Sequence, residues 1–161
     1  MGLFGKKRLS VKELFSVASA LFDDAEQTET WIAAVKEVEG VASEKDLERE
    51  LLNLRMFLVD LCIVSNFDGA VRDLLRDEVI SFVQGKNADA GKEITARQAS
   101  YGDAWMNNPF TDFPNSYSVV KKFGEICGFE VLGPVEMRVL TSLCSRLVTS
   151  VSKAFSEIQN I

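Results

Sequence analysis

Apolar residues recur at spacings of three and four along most of this chain, and this spacing restricts the fold more than any other feature. It is the period of one face of an α-helix, and the alternating pattern of a half-buried strand is absent. Only three prolines occur among the 161 residues, so long helices are allowed. The sequence therefore predicts an all-α protein, an irregular helical bundle of six or seven helices.

Two apolar stripes predict the helices at the centre of the bundle. The first helix begins after Ser43, a good N-cap residue, and becomes apolar nearly all round, which is typical of a helix with several neighbours. The second begins at Pro134, since proline is best tolerated in a first helical turn, and runs to about residue 157. The first stripe comprises Leu47, Leu51, Leu54, Leu58 and Leu61, widened by Phe57, Val59, Cys62, Ile63 and Val64, and the second Val139, Leu140, Leu143, Cys144, Leu147, Val151, Phe155 and Ile158.

The segments between these two helices predict three shorter ones. Asp68 is expected to cap a helix over residues 70–83, and further helices are expected over residues 92–107 and 119–127. Residues 84–91 are polar and contain glycine, so we expect a loop there, and residues 88–91 within it are the only credible subdomain boundary. The inward-facing residues of the helix after Asp68 should be Val71, Leu74, Leu75, Val79 and Phe82.

Length and composition predict one domain that follows a short basic segment. With 47% hydrophobic residues, a chain of this length can bury a sizeable core. We assign residues 10–161 to a single helical domain and residues 1–9 to a basic N-terminal tip, whose flexibility the sequence leaves open. Cys62, Cys127 and Cys144 are odd in number and lie apart among apolar residues, which is typical of reduced thiols. No apolar run approaches the roughly 20 residues that span a bilayer, so we expect a cytoplasmic protein.

The chain contains no histidine, and this absence removes several kinds of site. Histidine is the commonest metal ligand, and its unperturbed pKa lies close to neutrality. Triads that depend on histidine are excluded, as are HExxH and ExxH metal sites. No glycine-rich phosphate loop or paired-cysteine motif replaces them, and no serine or cysteine has a recognisable base beside it. We therefore expect no enzymatic activity, no cofactor and no metal.

The charge is unevenly distributed and disfavours nucleic acid as a partner. The net charge is −6, of which residues 1–12 contribute +4, residues 13–60 contribute −8 and the remainder −2. Because an acidic body repels phosphates, direct binding of nucleic acid is not expected.

The densest aromatic region, residues 101–117, is the candidate binding site. Aromatic side chains together with an arginine make good binding anchors, and aromatic-lined pockets between helices also hold small ligands. The alternative is that this segment folds over the bundle and its aromatic rings fill the core. The candidate binding residues are Arg97, Tyr101, Trp105, Phe110 and Phe113.

A second candidate site is the N-terminal tip, where Leu3 and Phe4 precede Lys6, Lys7 and Arg8. Such a segment could lie on an anionic membrane, with the apolar side chains inserted and the basic ones near lipid phosphates. One short segment gives only marginal membrane binding. We therefore favour the interpretation that the tip is a mobile or lightly packed terminus that binds no membrane.

Asp60 interrupts the most apolar helix and has two interpretations. A carboxylate in that position could be a perturbed acid or base. The favoured alternative is an ion pair at the edge of the core, with Arg49, Arg72 or Arg97 as partner.

Three functions follow in order of preference. The first is a non-enzymatic helical interaction module that docks on another protein or on itself. The second, a different class, is a bundle that binds a small apolar ligand or lipid, with membrane association through the basic tip. The third is an enzyme that uses carboxylates alone, centred on Asp60 or Asp103.

Overall fold

The computed structural model describes residues 13, 16, 25–35, 43–110, 112–129 and 132–159, and the described ranges contain six helices and no strand. The predicted all-α bundle of six or seven helices is confirmed. The assignment of residues 10–161 to one domain stays a prediction, and the N-terminal tip lies outside the described residues. The helices are α1 (Ala25–Val35), α2 (Glu44–Asn66), α3 (Gly69–Lys86), α4 (Ala88–Met106), α5 (Asn115–Ile126) and α6 (Pro134–Gln159).

Helix α2 is the centre of the bundle, as its apolar stripe predicts. It packs against α1, α3, α4 and α6, and α4 in turn packs against α3 and α5. Burying one leucine or valine side chain contributes about 1.5–3 kcal/mol, so the buried face of α2 is the main source of stability. Its fully or almost fully buried residues include Leu47, Leu51, Leu54, Met56, Phe57, Leu58, Val59, Cys62 and Ile63.

Three predicted helix limits agree with the structure. Ser43 is the N-cap of α2, and its hydroxyl accepts a hydrogen bond from the backbone N–H of Asp46 at 3.3 Å. Pro134 begins α6. After α5, Gly128 has a φ of +74°, a left-handed conformation that strains any residue with a Cβ.

The predicted loop over residues 84–91, and with it the subdomain boundary, is wrong. Helix α3 continues to Lys86, and only Asn87 separates it from α4. The Asn87 side chain accepts hydrogen bonds from the backbone N–H groups of Asp89 and Ala90, so it caps α4 directly. Gly91 is needed for contact here, since a Cβ on it would lie 2.5 Å from Gln84 Cγ. The glycine marks a close approach of two helices and not a loop.

Helix α3 buries a narrower stripe than its sequence predicts. Leu75 and Val79 are buried as expected, but Val71 is 40% exposed and Leu74 is 52% exposed. The reason is that α3 packs only on α2 and α4, so one side of the helix has no neighbour within the described part of the chain. Val64 in the last turn of α2 and Val139 in the second turn of α6 are also expected to face inward, but both are exposed.

No helix in the described ranges combines the length and apolar character needed to cross a membrane.

Candidate docking surface

The structure divides the five predicted binding residues between the core and the surface: Tyr101 is in the core, and Arg97 lies at its edge. Tyr101 is completely buried between α4 and α2, and its hydroxyl donates a 2.6 Å hydrogen bond to Glu50. Arg97 donates from Nε to both carboxylate oxygens of Glu50 at 2.8 Å. Tyr101 therefore belongs to the core and not to a binding surface, while Arg97, whose side chain is partly exposed, stays a predicted binding residue that Glu50 of α2 holds at the edge of the helix interface.

The hydrogen bonds and charges around Glu50 hold α2 and α4 together, and they do not activate the neighbouring tyrosine or cysteine as a nucleophile. Glu50 is 3% exposed and its charge is balanced by Arg97. Burial raises the pKa of Tyr101 well above its usual value, and the neighbouring Glu50 carboxylate raises it further. Burial, followed by the Glu50 charge, also raises the pKa of Cys127 to about 12. Tyr101 and Cys127 therefore stay protonated near neutral pH, so neither is a nucleophile there.

The remaining aromatic residues become progressively more exposed along the α4–α5 connection. Trp105 is half-buried and packs against the core, Phe110 is half-buried, and Phe113 is 51% exposed. Phe113 stacks on Tyr117, with ring centroids 4.4 Å apart and an interplanar angle of 20°. Phe110 meets the same tyrosine edge-on at 5.0 Å. Phe110, Phe113 and Tyr117 form a continuous group, which we call the aromatic turn.

Tyr117 was missed as a binding residue by the sequence analysis. It lies in the first turn of α5, two residues before the predicted start of that helix at residue 119. The available signal is its place at the end of the aromatic-rich segment, four residues after Phe113.

Asn108 holds the aromatic turn in place through five hydrogen bonds. Its Nδ2 donates to the backbone oxygens of Phe110 and Phe113, at 3.3 and 3.1 Å, and to Asn115 Oδ1 at 3.2 Å. Its Oδ1 accepts from the backbone N–H of Phe110 at 3.0 Å and from the hydroxyl of Ser118 at 2.6 Å. The half-buried Asn108 amide therefore connects the end of α4, the turn and the start of α5.

Two open grooves lie on either side of α5 next to the aromatic turn. The larger, of about 290 Å³, is bounded by α5, by the following connector and by the start of α6. The smaller, of about 200 Å³, lies between α4 and α5. Lys121 and Glu125 border both. The larger groove is lined by Tyr117, Lys121, Gly124, Glu125, Phe129, Leu132 and Met137.

Lys121 supplies a charge that the described residues do not neutralise. Its Nζ lies 4.9 Å from the centre of the Phe110 ring, a cation–π distance, and no carboxylate of the described residues pairs with it. The neighbouring Lys122 differs, because its Nζ lies 2.6 Å from Glu125. The surface next to the aromatic turn therefore offers one unpaired positive charge beside apolar walls.

Asp60 and Asp103, the candidate catalytic carboxylates of the sequence analysis, both have hydrogen-bond partners in the structure. Asp60 is held by Arg76, whose Nε and Nη2 lie 2.6 and 3.2 Å from its two oxygens, and by Gln98 at 3.1 Å. The predicted ion pair is present, but its partner is Arg76 and not Arg49, Arg72 or Arg97.

Asp103 borders the smaller groove and accepts a 2.7 Å hydrogen bond from Asn107. The described ranges contain no group of three or more acidic or cysteine side chains that could hold a metal ion.

No protein family model, characterised protein or solved structure matches the chain.

Proposed function

We propose that this protein is a non-enzymatic docking module that binds a protein segment through the aromatic turn and the adjoining face of α5. The observation that carries the proposal is the half-exposed Phe113 ring, stacked on Tyr117 and fixed by the hydrogen bonds of Asn108. A large apolar ring that half faces solvent contributes little to the fold. It contributes far more when a partner covers it, because aromatic residues dominate the energetics of protein interfaces.

The rigidity of the aromatic turn favours binding over a purely structural role. A side chain that is already held in one conformation loses little entropy when a partner arrives, which raises affinity. Asn108 supplies that restraint from the base of the turn, and Tyr117 supplies it from one face of the ring.

The grooves indicate the chemistry of the partner segment. An apolar side chain of the partner would enter the larger groove against Phe129, Leu132 and Met137, and a neighbouring carboxylate would pair with Lys121. Such a segment can belong to another protein or to a second copy of this chain, so the surface supports partner binding and self-association alike.

The chemistry of the remaining groups supports the absence of catalysis. The chain has no histidine, Cys127 has a pKa near 12, and Asp60 is a bidentate partner of Arg76. A carboxylate enzyme would need two acids free to act on one substrate.

The cysteines agree with a cytoplasmic location. Cys62, Cys127 and Cys144 form no disulfide, as is usual for proteins in the reducing cytoplasm.

The alternative function is the binding of a small apolar ligand or lipid. That function calls for an enclosed cavity lined by Phe and Leu side chains. The larger groove has Phe129 and Leu132 in its wall, but it opens to solvent, so a protein segment is the better-fitting occupant.

A selection from a random peptide library on the full-length chain tests the proposal. The dissociation constants of the selected peptides are then measured for the wild type, for Phe113→Ala and for the matched surface variant Val64→Ala, whose residue is 46% exposed near the end of α2 and lines neither groove. We expect Phe113→Ala to weaken binding by roughly 30-fold or more, the factor that corresponds to a hot-spot residue. Val64→Ala should change it by less than about threefold, as for a residue outside the interface.

Sedimentation velocity of the same three proteins covers self-association. A wild-type oligomer should dissociate in Phe113→Ala and persist in Val64→Ala. Peptides that bind Phe113→Ala as tightly as the wild type would contradict the proposal. So would a monomeric wild type that selects no peptide.

A further inference from the structure

The outer side of α3 carries an apolar face that no described helix covers. Val71 and Leu74 are three residues apart and therefore adjacent on the helix surface, and they are 40% and 52% exposed. Leu75, Val79 and Val83 point the other way, into the bundle. Unlike the aromatic turn, this face belongs to a different helix and has no aromatic residue at its centre.

Carboxylates without ion-pair partners border this face. Asp68, Asp77 and Glu78 are exposed, and no basic group among the described residues neutralises them. The three basic side chains of the same helix are already engaged, because Arg72 pairs with Asp73, Arg76 pairs with Asp60, and Lys86 lies over the Phe82 ring at the far end of the helix. The outer side of α3 therefore offers two apolar side chains together with three unneutralised negative charges.

The chain itself contains a segment with the opposite pattern. Residues 2–9, which lie outside the described residues, contain two apolar side chains, Leu3 and Phe4, followed by three basic ones, Lys6, Lys7 and Arg8. We propose that residues 2–9 dock on the outer face of α3, with Leu3 and Phe4 against Val71 and Leu74 and the basic side chains beside Asp68, Asp77 and Glu78.

The dimensions of the two elements agree. From Leu3 to Arg8 an extended chain spans at most about 18 Å, at 3.3–3.6 Å per residue. From Asp68 to Glu78 the helix rises about 15 Å, at 1.5 Å per residue. One short segment can therefore reach every group of the face at once, and the apolar contacts and charge pairs form together.

The proposal is independent of the function proposed for the aromatic turn, and it assigns the basic tip to a protein surface instead of a membrane. Photo-cross-linking of the full-length chain tests it. The photoreactive amino acid p-benzoylphenylalanine replaces Phe4, the protein is irradiated, and the linked residues are mapped by mass spectrometry. We expect adducts on residues 68–82. A product of monomer mass would show contact within one chain, and one of dimer mass with the same linked residues would show contact between copies; both support the pairing of this segment with this face.

A matched pair of charge insertions provides the control. Val71→Lys removes an apolar contact and adds a repelling charge, so the yield of α3 adducts should fall by roughly tenfold, the factor expected for losing one buried aliphatic contact. Val135→Lys makes the same change on an exposed valine of α6 and should leave the yield unchanged. Both sites are exposed, so both variants should fold, and circular dichroism verifies this.

The yield of α3 adducts is also measured as a function of NaCl concentration and in the presence of lipid vesicles. The adduct yield should fall as NaCl rises from about 0.05 to 0.5 M, because the screening length shrinks to a few ångströms. Adducts on the aromatic turn, no adducts at all, or equal yields in Val71→Lys and Val135→Lys would overturn the proposal. The membrane assignment would replace it if vesicles of anionic phospholipid abolished the α3 adducts and took up the label themselves.

Discussion

Replacing Asn108 with alanine should disorder the aromatic turn while leaving its aromatic side chains in the chain. The substitution removes five hydrogen bonds, of which those to the backbone of Phe110 and to Ser118 are partly buried. At about 1 kcal/mol for each of these three partly buried bonds, the turn loses about 2–3 kcal/mol of restraint. The two exposed bonds, to Phe113 and Asn115, are replaced by water and add little.

Hydrogen exchange measures this loss directly. The backbone N–H of Phe110 donates to Asn108 Oδ1, and that of Phe113 donates to the Phe110 oxygen, so both amides are protected by the turn. A loss of about 2 kcal/mol of restraint corresponds to roughly 30-fold faster exchange, since 1.4 kcal/mol is a factor of ten. Peptides selected on the wild type should weaken in parallel, because Phe113 then has to be ordered at the moment of binding.

Two further variants separate the restraint from general destabilisation. Asn107→Ala is the matched control, since Asn107 is the adjacent residue and makes a single exposed side-chain bond, to Asp103. It should leave exchange at Phe110 unchanged. Asn108→Asp keeps the acceptor for the Phe110 amide but cannot donate to the Phe113 oxygen, so it should protect Phe110 alone. Equal exchange rates at Phe110 in Asn108→Ala and in the wild type would refute the assigned role of Asn108.

Two predictions concern the buried network at Glu50. Tyr101→Phe removes only the hydroxyl that donates to Glu50 and should lower the free energy of unfolding in urea by about 1.5–3 kcal/mol, as for a hydrogen bond to a charged group; an unchanged midpoint would mean that this bond contributes nothing. Alkaline pH should destabilise the protein because folding raises the pKa of Cys127 from 9.0 to about 12, first through burial and then through the Glu50 charge. The folded state holds this proton more tightly, so the contribution is complete below pH 9 and is lost between pH 9 and 12, at up to about 1.4 kcal/mol per pH unit. Urea unfolding of Cys127→Ala across this range should show a shallower slope, and identical slopes would contradict the assignment.

The fold was predictable where one local pattern decides the outcome. The leucine stripe of α2 required no knowledge of its neighbours, because a helix apolar nearly all round can only be central. The α3–α4 junction was not predictable in this way. Gly91 looks like a loop residue in the sequence, and its function, close contact with Gln84, exists only once the helices have met. Val71 and Leu74 likewise fit the helical period, but which residues of a wide stripe are covered depends on where the other helices lie.

The candidate site was predictable as a region but not as a set of residues. The density of aromatic residues in the sequence marks the α4–α5 connection, which is where the proposed docking surface lies. What divides Tyr101 from Phe113 is a carboxylate that lies on another helix, since Glu50 binds the Tyr101 hydroxyl across 51 positions of sequence. No spacing rule within residues 101–117 contains that information. In the sequence, Asn108 followed by Pro109 indicates only the end of a helix, and the role of Asn108 in the turn follows from side-chain geometry that a sequence does not specify.

The three thiols give the protein a set of native reporters of local opening. Cys62 donates to the backbone oxygen of Val148 and accepts from the hydroxyl of Ser152, so it links α2 to α6, while Cys144 is completely buried in α6 and Cys127 follows α5. Burial raises the pKa of each thiol, so the reactive thiolate is scarce in the closed state. The rate at which a thiol reagent labels each cysteine therefore measures how often that part of the bundle opens locally, and no engineered label is needed.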